Sequence, residues 1–417
     1  MAIATTMSTV DGILKEVYED RLRDQLESAT VFSSRIEKTS EGVTEDVGGK
    51  YVRFPIRTAR NHGIGARLEQ EALPVARTQG YAPANILLAY LYGAIELTGQ
   101  TFELAERNPQ AFASALDQEV NGLSEGLKKD YNRQLFGTSV GKLVTANAAG
   151  TTTTLVTSTA EAIYMEIGMV VDLYDNTDAL KAGGSGLVIT NIQKDTPSVG
   201  STTITFTPAA GGATASGDYF TRDDSRAKEM IGLRQIVDNT GILYNINPAT
   251  VPLWKAEVDD PGVATAISEG RMISMVDRVR TNGGNTTLLL TSLGVRRAYF
   301  ALLSQLRQSV NTLELKGGFK GLAFATDNGD IPLVSDLDCQ AGTMYFLNEK
   351  ELKLYQAGDW SWMNRDGSMW QRVMSVTGSQ TVAPFDAYQA MMFKYCQLGC
   401  HRRNSQGVIK NITEVTV

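Results

Sequence analysis

Residues 108–137 read NPQAFASALDQEVNGLSEGLKKDYNRQLFG. Apolar side chains recur at Phe112, Leu116, Val120, Leu123, Leu127, Tyr131 and Leu135. Spacings of three and four put them on one stripe of a helix. Asn108 is a good N-cap and Pro109 suits the first helical position, where its missing N–H costs nothing. Gly137 marks the stop. At 1.5 Å rise per residue the helix runs roughly 40 Å, about twice the length of an average helix, and so predicts a structural spine. Gly122 and Gly126 lie in its interior, each weakening it by about 1 kcal/mol relative to Ala.

Upstream, the pattern changes to period two from Lys50, with Val52, Phe54 and Ile56 on one face and Tyr51, Arg53 and Arg57 on the other, a half-buried strand. A second strand is expected at about Asn85 to Leu97. The link between them is rich in Gly, Pro and Arg, including His62, Gly63, Gly65, Arg67, Glu69, Glu71 and Pro74. Long links without a core of their own are uncommon in compact domains unless they are functional or rest on something else. The reading is a long projecting hairpin whose tip another chain stabilises. Arg53, Arg57, Arg60, Arg67 and Arg77, with Glu69 and Glu71, are the candidate inter-subunit contacts, because arginine pairs carboxylates in a bidentate fork. The bland alternative is a solvated charged loop. Exposed ion pairs contribute about 0–1 kcal/mol each, so these charges set register between subunits more than they supply affinity. Residues 9–38 carry Ile13, Leu14, Val17, Leu22, Leu26 and Phe32 among many charges, a thin amphipathic helix that needs a partner surface, on its own domain or on a neighbour.

Downstream, from Val140 to Ser225, Thr, Gly, Ser and Ala dominate. Strands are expected at Met169 to Tyr174, Leu187 to Ile192 and Thr202 to Thr207, with turn signals at residues 183–186, 197–200 and 211–212. These are barrel-like intervals and predict a small all-β insertion. Beyond Arg226 the pattern is mixed α/β, with helices at about Ala264 to Thr281 and Leu293 to Gln308 around a strand at Thr286 to Thr291. Strands and hairpins follow from Gly321 to Val373, with Asp366-Gly367 as a tight turn.

The 417 residues, 42% hydrophobic, suffice for more than one core. A net charge of −7 leaves no surplus of Lys and Arg for phosphate neutralisation, which argues against a dedicated DNA-binding protein. Cys339, Cys396 and Cys400 are too few and odd in number for a disulfide framework, so a reducing compartment is expected. No window has the 18 or more apolar residues of a membrane span, and Met1 to Val10 lacks the basic and apolar regions of a secretory signal. Neither insertion nor secretion is expected.

Catalytic signatures are missing from the sequence. His62 and His401 are the two histidines and sit in no known motif. Cys396, Cys400 and His401 lack haem-attachment spacing and a fourth zinc ligand, so burial is the better reading. Asp172, Asp175 and Asp178 miss the ligand spacing of a calcium loop and read as a solvated turn. Trp360, Trp362 and Trp370 read as packing rather than a sugar platform. No catalytic, cofactor or metal residue is assigned.

The order of these elements resembles the Hong-Kong-ninety-seven-type capsid fold of tailed double-stranded DNA bacteriophage major capsid proteins. The stretches that carry the resemblance are Lys50-Tyr51-Val52-Arg53-Phe54-Pro55, residues 108–137, Gly232-Leu233-Arg234-Gln235-Ile236-Val237 followed by Trp254-Lys255-Ala256, and Phe319-Lys320-Gly321-Leu322 through Ile331-Pro332-Leu333-Val334. The resemblance covers nearly the whole chain. It implies an α+β fold with an N-terminal arm (1–45), an extended hairpin loop (46–98), the spine helix of a peripheral domain (99–139), a β-rich insertion domain (140–225), further peripheral domain (226–284), an axial domain (285–379) and a C-terminal return to the peripheral domain (380–417).

The implied function is a shell subunit forming hexamers and pentamers of an icosahedral virion capsid around packaged double-stranded DNA, touched non-specifically. Portal, scaffolding and decoration proteins are the further partners expected, with assembly in the bacterial host cytoplasm. An encapsulin-like nanocompartment subunit is the runner-up, and a multidomain enzyme or carbohydrate-binding protein the third class. Some relatives crosslink through a loop lysine, but no lysine lies between Tyr51 and Leu127, so no such isopeptide is expected. Some begin with a long cleaved assembly domain; here the arm starts almost at Met1, so a separate scaffold, if any, is expected.

Overall fold

The computed structural model describes residues 31–40, 43, 51–100, 109–196, 198, 200–305, 312–314, 320–327, 329–364, 368–377 and 380–415. The arm's apolar positions Ile13 through Leu26, the N-cap Asn108 and the turn at Asp366-Gly367 lie outside these residues. The spine helix runs Pro109–Phe136, over the span its periodicity predicts. Val120, Leu127, Tyr131 and Leu135 are buried, and Gly122 and Gly126 lie on the opposite, open face.

The helix packs on a six-stranded sheet built around one long strand, Gln380–Cys400. One edge of that strand pairs antiparallel with Ala89–Thr98, in a register that sets Gly93 against Met392. On its other side it pairs with Leu352–Gln356, Ser361–Trp362 and Gln371–Thr377. Gly93 is where helix and sheet come closest: a Cβ there would lie 2.7 Å from Leu123 Cδ1 and 2.9 Å from Leu127 Cδ2. The end of the arm joins this body, since Glu37–Thr39 adds a parallel strand to Leu352–Gln356 and Phe32 is fully buried against Phe136.

The hairpin forms as an antiparallel pair of Tyr51–Ala59 with Gly80–Leu87. Val52, Ile56, Ala84 and Ile86 face the core while Arg53, Pro55 and Arg57 face outward, as the period of two requires. The sequence reading placed the second strand too late, at about Asn85. Two strands occupy that stretch, Gly80–Leu87 in the hairpin and Ala89–Thr98 in the main sheet, so the chain changes sheets at Leu88 and the tip is confined to Arg60 through Gln79. Continuous apolar character across Leu87 to Leu91 hid the boundary.

The insertion closes into a six-stranded barrel in the order Tyr219–Arg222, Val144–Ala148, Thr154–Ser158, Ser201–Thr207, Leu187–Lys194, Val170–Tyr174. Closure removes the free edges that short, Thr-rich strands would otherwise expose. Leu155, Val171, Leu173, Leu187, Ile204 and Phe220 fill its interior as a core of their own.

A seven-stranded sheet forms the third core, in the order Glu257–Asp259, Gly407–Ile409, Met344–Leu347, Leu288–Thr291, Gly329–Ser335, Lys320–Thr326, Thr312–Glu314. Helices Glu269–Thr281 and Leu293–Gln305 cover it through Met272, Met275, Val279, Val295, Tyr299 and Leu303. The first of these starts later than its apolar pattern predicts, at the N-cap Ser268, whose side chain accepts from Arg271 N–H at 3.3 Å. This sheet draws strands from either side of residues 285–379. The molecule is α+β throughout, and among the described residues no helix is long and apolar enough to cross a membrane.

Candidate assembly surface

The base of the hairpin is fixed to the body. Phe54 stacks on the ring of His401 at 4.6 Å between centroids, and His401 Nε2 lies 2.6 Å from Tyr355 Oη. Burial, reinforced by Lys353, holds the imidazole below its ordinary pKa, so it is a neutral packing ring at pH 7. Asn85 N–H donates to the Tyr244 carbonyl at 3.2 Å, and Gln397 Nε2 to the Leu87 carbonyl at 2.9 Å.

Beyond this base the tip stands free of the body. Gln70 adopts φ 65° in a turn in which Glu71 N–H donates to the Leu68 carbonyl and Glu71 Oε2 accepts from Leu68 N–H at 3.0 Å. Arg67 spans the turn, donating to the carbonyls of Ala66 at 2.8 Å and Ala72 at 2.9 Å. Two of the predicted contact residues, Arg67 and Glu71, therefore help to hold the loop's own shape. Arg53, Arg57, Arg60, Arg77 and Glu69 are exposed, without an ion pair among the described residues. Reasoning from charge alone missed four companions: Ile64, Leu68, Leu73 and Val75 are 85%, 77%, 82% and 79% exposed. Their signal was in the sequence, because a loop meant only for water has no use for four branched apolar side chains. Exposed apolar groups carried along one projecting loop mark a contact surface.

A second polar cluster lies where spine, barrel and seven-stranded sheet meet. Arg133 on the spine pairs with Glu229 at 2.6 Å and with Asp130 at 3.0 Å, and Arg222 at the end of the barrel reaches Asp130 at 2.8 Å. Burial alone would raise Asp130, but the two guanidiniums beside it hold its carboxyl below the usual range. Burial pushes Glu229 up despite Arg133. On the same turn, Asn132 Nδ2 donates to Asp336 at 2.8 Å and also to the Asp338 carboxylate, while Tyr164 O–H from the barrel donates to the Asp338 carbonyl at 3.0 Å. Burial, with Asp336 adjacent, pushes the Asp338 carboxyl up to about 6.

The other sequence candidates are accounted for by packing. Trp360, Trp362 and Trp370 are buried, the first edge-on to Tyr131. Asp172 is not in the solvated turn expected for it: it is buried in a barrel strand, accepting from Gly186 N–H and Asp224 N–H at 3.0 Å each. Asp175 caps its own turn through Thr177 and Ala179, and Asp178 accepts from Tyr219 O–H at 2.6 Å. Burial raises the thiols of Cys396 and Cys400 to about 11 and about 12, which makes them poor nucleophiles. Among the described residues no group of three His, Cys, Asp or Glu side chains is placed to hold a metal ion.

Residues 212–381 match the family model described as SU10 major capsid protein. No curated protein sequence matches the chain. Among solved structures it is similar to the Cyanophage A-1(L) capsid asymmetric unit, at 15% identity over 94% of this chain and 92% of that one, with a TM-score of 0.48. It is also similar to a Mycobacterium phage Adephagia chain, at 10% identity over the whole of both with a TM-score of 0.43. An encapsulin from Synechococcus elongatus is similar at 9% identity over 92% of this chain and 88% of that one, TM-score 0.39. Likenesses this distant assign no role to any residue. The family match starts in the last loop of the barrel and ends at the start of the long central strand, and so covers less than half of the chain.

Proposed function

We propose that copies of this chain form the hexamers and pentamers of an icosahedral shell around packaged double-stranded DNA, and that each hairpin crosses onto a neighbouring copy. The observation that supports this reading is the tip: Ile64, Leu68, Leu73 and Val75 are exposed by 77–85% on a strand pair whose base is locked to the body. Burying one such side chain stabilises by about 1.5–3 kcal/mol, so four contribute at most roughly 6–12 kcal/mol per contact before the cost of association. The arginines and glutamates around them add little affinity and fix register.

The protein has a structural role and no reaction of its own in this reading. Portal, scaffolding and decoration proteins are its further partners, and the bacterial host cytoplasm its place of assembly. A net charge of −7 suits the lining of such a shell, since a basic wall would hold the genome by counterion release and oppose filling and ejection. The residues 51–127 contain no lysine, so the mature shell is held without a loop-lysine isopeptide, and boiled particles run as one monomer band on a denaturing gel. A ladder would refute that. Negative-stain microscopy of the expressed chain tests the whole reading: closed shells, or rings of five or six, are expected, and persistent monomers under assembly conditions overturn it. Double-stranded DNA inside shells from infected cells separates the capsid from an encapsulin-like compartment, which would hold a cargo protein instead.

A further inference from the structure

We propose that the turn carrying Asp336 and Asp338 is a proton-operated clamp: one proton taken up by this carboxyl pair fastens the turn between spine and barrel, and its loss at neutral pH slackens the grip. The device lies within one subunit and does not depend on how copies meet.

The turn follows Gly329–Ser335 and is gripped from two sides. From the spine, Asn132 Nδ2 donates to Asp336 at 2.8 Å and to the Asp338 carboxylate. From the barrel, Tyr164 O–H donates to the Asp338 carbonyl at 3.0 Å. Two acidic side chains therefore share one amide group, and Asp336 is buried. The group is short of donors, since Asn132 Oδ1 is buried and has none. A carboxyl proton adds a donor where one is lacking. Leu337, between the two acids, is 72% exposed, so its side chain does not anchor the turn.

Charge points the same way. Asp130, Glu229, Asp336 and Asp338 lie around the junction with Arg133 and Arg222, whose ion pairs go to Asp130 and Glu229. Lys129 is engaged by Glu166 at 2.7 Å, with Glu125 also beside it. Glu414, which faces Cys339, accepts from Gly342 N–H at 2.8 Å and from Ser292 O–H. Burial keeps the Tyr164 phenol and the Cys339 thiol protonated. Among the described residues neither Asp336 nor Asp338 has an ion pair, and two adjacent carboxylates without a counter-ion relieve their repulsion by holding a proton. The Asn132 amide already sits between them, so the site takes a proton and not a metal ion.

Burial, with Asp336 adjacent, lifts the Asp338 carboxyl to about 6, and burial lifts Asp336 as well. A raised carboxyl binds its proton more tightly in the clamped state, so the clamp tightens as pH falls through about 6 and slackens above it. The barrel has a core of its own and also meets the spine through Arg222 and Glu166. The guanidiniums keep Asp130 ionised, so the Arg222 pair holds the root of the barrel in either state. The Tyr164 contact is the one that the proton governs.

Cys339, next in the chain, is buried with the turn, while Cys396 and Cys400 are buried in the central strand. The test labels these thiols in dispersed subunits of the full chain with dithiodipyridine, at pH 7.5 and 5.0, and follows each by peptide mass spectrometry. In the wild type at pH 7.5, Cys339 should react ahead of Cys396 and Cys400. Reaction of all three in step would mean that only global unfolding frees the turn, and would overturn the clamp. Comparing wild type with Asp338→Asn at one pH cancels the titration of the thiol itself. The ratio of their Cys339 rates should fall about tenfold from pH 7.5 to 5.0, and an unchanged ratio overturns proton control. Tyr164→Phe should speed Cys339 at pH 5.0, and no change there removes the barrel from the clamp.

Discussion

Replacing Asp338 by Asn should stabilise the subunit at pH 7 and erase much of its gain on mild acidification. The carboxyl lies half-buried beside Asp336, with Asn132 donating to both, and burial pushes it from 3.8 to about 6. The sign follows from proton linkage. A carboxyl whose folded value exceeds its unfolded value binds its proton more tightly in the folded state, so folding gains stability as pH falls through about 6 and has the full gain below 3.8. Above pH 6 the charged form carries its whole desolvation cost. The difference corresponds to at most about 3 kcal/mol, less whatever part the neighbouring Asp336 takes up by titrating with it. The amide of Asp338→Asn never ionises, and its carbonyl oxygen still accepts from Asn132. Thermal unfolding of dispersed subunits at pH 7.5 and 4.5 reads the effect. At pH 7.5 the variant should melt higher by on the order of 5 °C, and the two proteins should converge at pH 4.5. A variant that melts lower at pH 7.5, or one that keeps the wild-type slope, would show that Asp338 is held as a useful anion and refute the reasoning.

Three further perturbations separate deep charge from surface charge and probe the open face of the spine. Arg133→Met strands Asp130 and Glu229 without their main counter-ion and should cost about 3–5 kcal/mol in chemical denaturation. Lys129→Ala breaks an ion pair whose partners are 73% and 60% exposed, and should cost no more than about 1 kcal/mol in the same assay. Gly126→Ala adds a methyl with no heavy atom within 4 Å and should stabilise the dispersed subunit by about 1 kcal/mol in urea. A loss of stability there would mean that the face is covered within the subunit.

The parts of this fold that could be read from sequence are those in which one local periodicity dictates one element. The spine helix keeps its 3.6-residue stripe over its full length, and Gly137 ends it where the backbone of Gly232 crosses closely over Gln134 and Leu135. Barrel strands such as Leu187–Lys194 and Ser201–Thr207 were legible because their turns carry dense glycine signals on both sides. Tertiary competition hid the rest. Leu87 to Leu91 has the composition of one strand, yet Gly93 can approach the spine only if the chain leaves the hairpin at Leu88 and joins Gln380–Cys400. Asp172 was grouped with Asp175 and Asp178 as solvated because their spacing fits no calcium loop, whereas its two carboxylate oxygens satisfy backbone N–H groups inside the barrel wall. At the candidate surface, charge was legible and exposure was not. Four apolar residues in a loop can face either way, and their exposure is decided by the base of the hairpin, where Phe54 and His401 stack and leave the tip no body to fold against.

Within the proposed shell, the placement of charge would let one subunit serve in rings of different size. Pairs buried at the root of the barrel contribute little net stability, because desolvation cancels most of their attraction, but a mispaired arrangement of Asp130, Arg133, Arg222 and Glu229 would be costly. Such a cluster fixes the relative pose of spine and barrel without making that joint the main source of stability, which lies in the three apolar cores. The affinity between copies then has to come from groups that those cores leave out. In the described residues the apolar tip of the hairpin is the most exposed of these, and it projects beyond the two strands whose inner face belongs to the main core. In the proposed shell, a subunit so divided would keep its own geometry constant while the hairpin tip takes up the difference in angle between a ring of five and a ring of six.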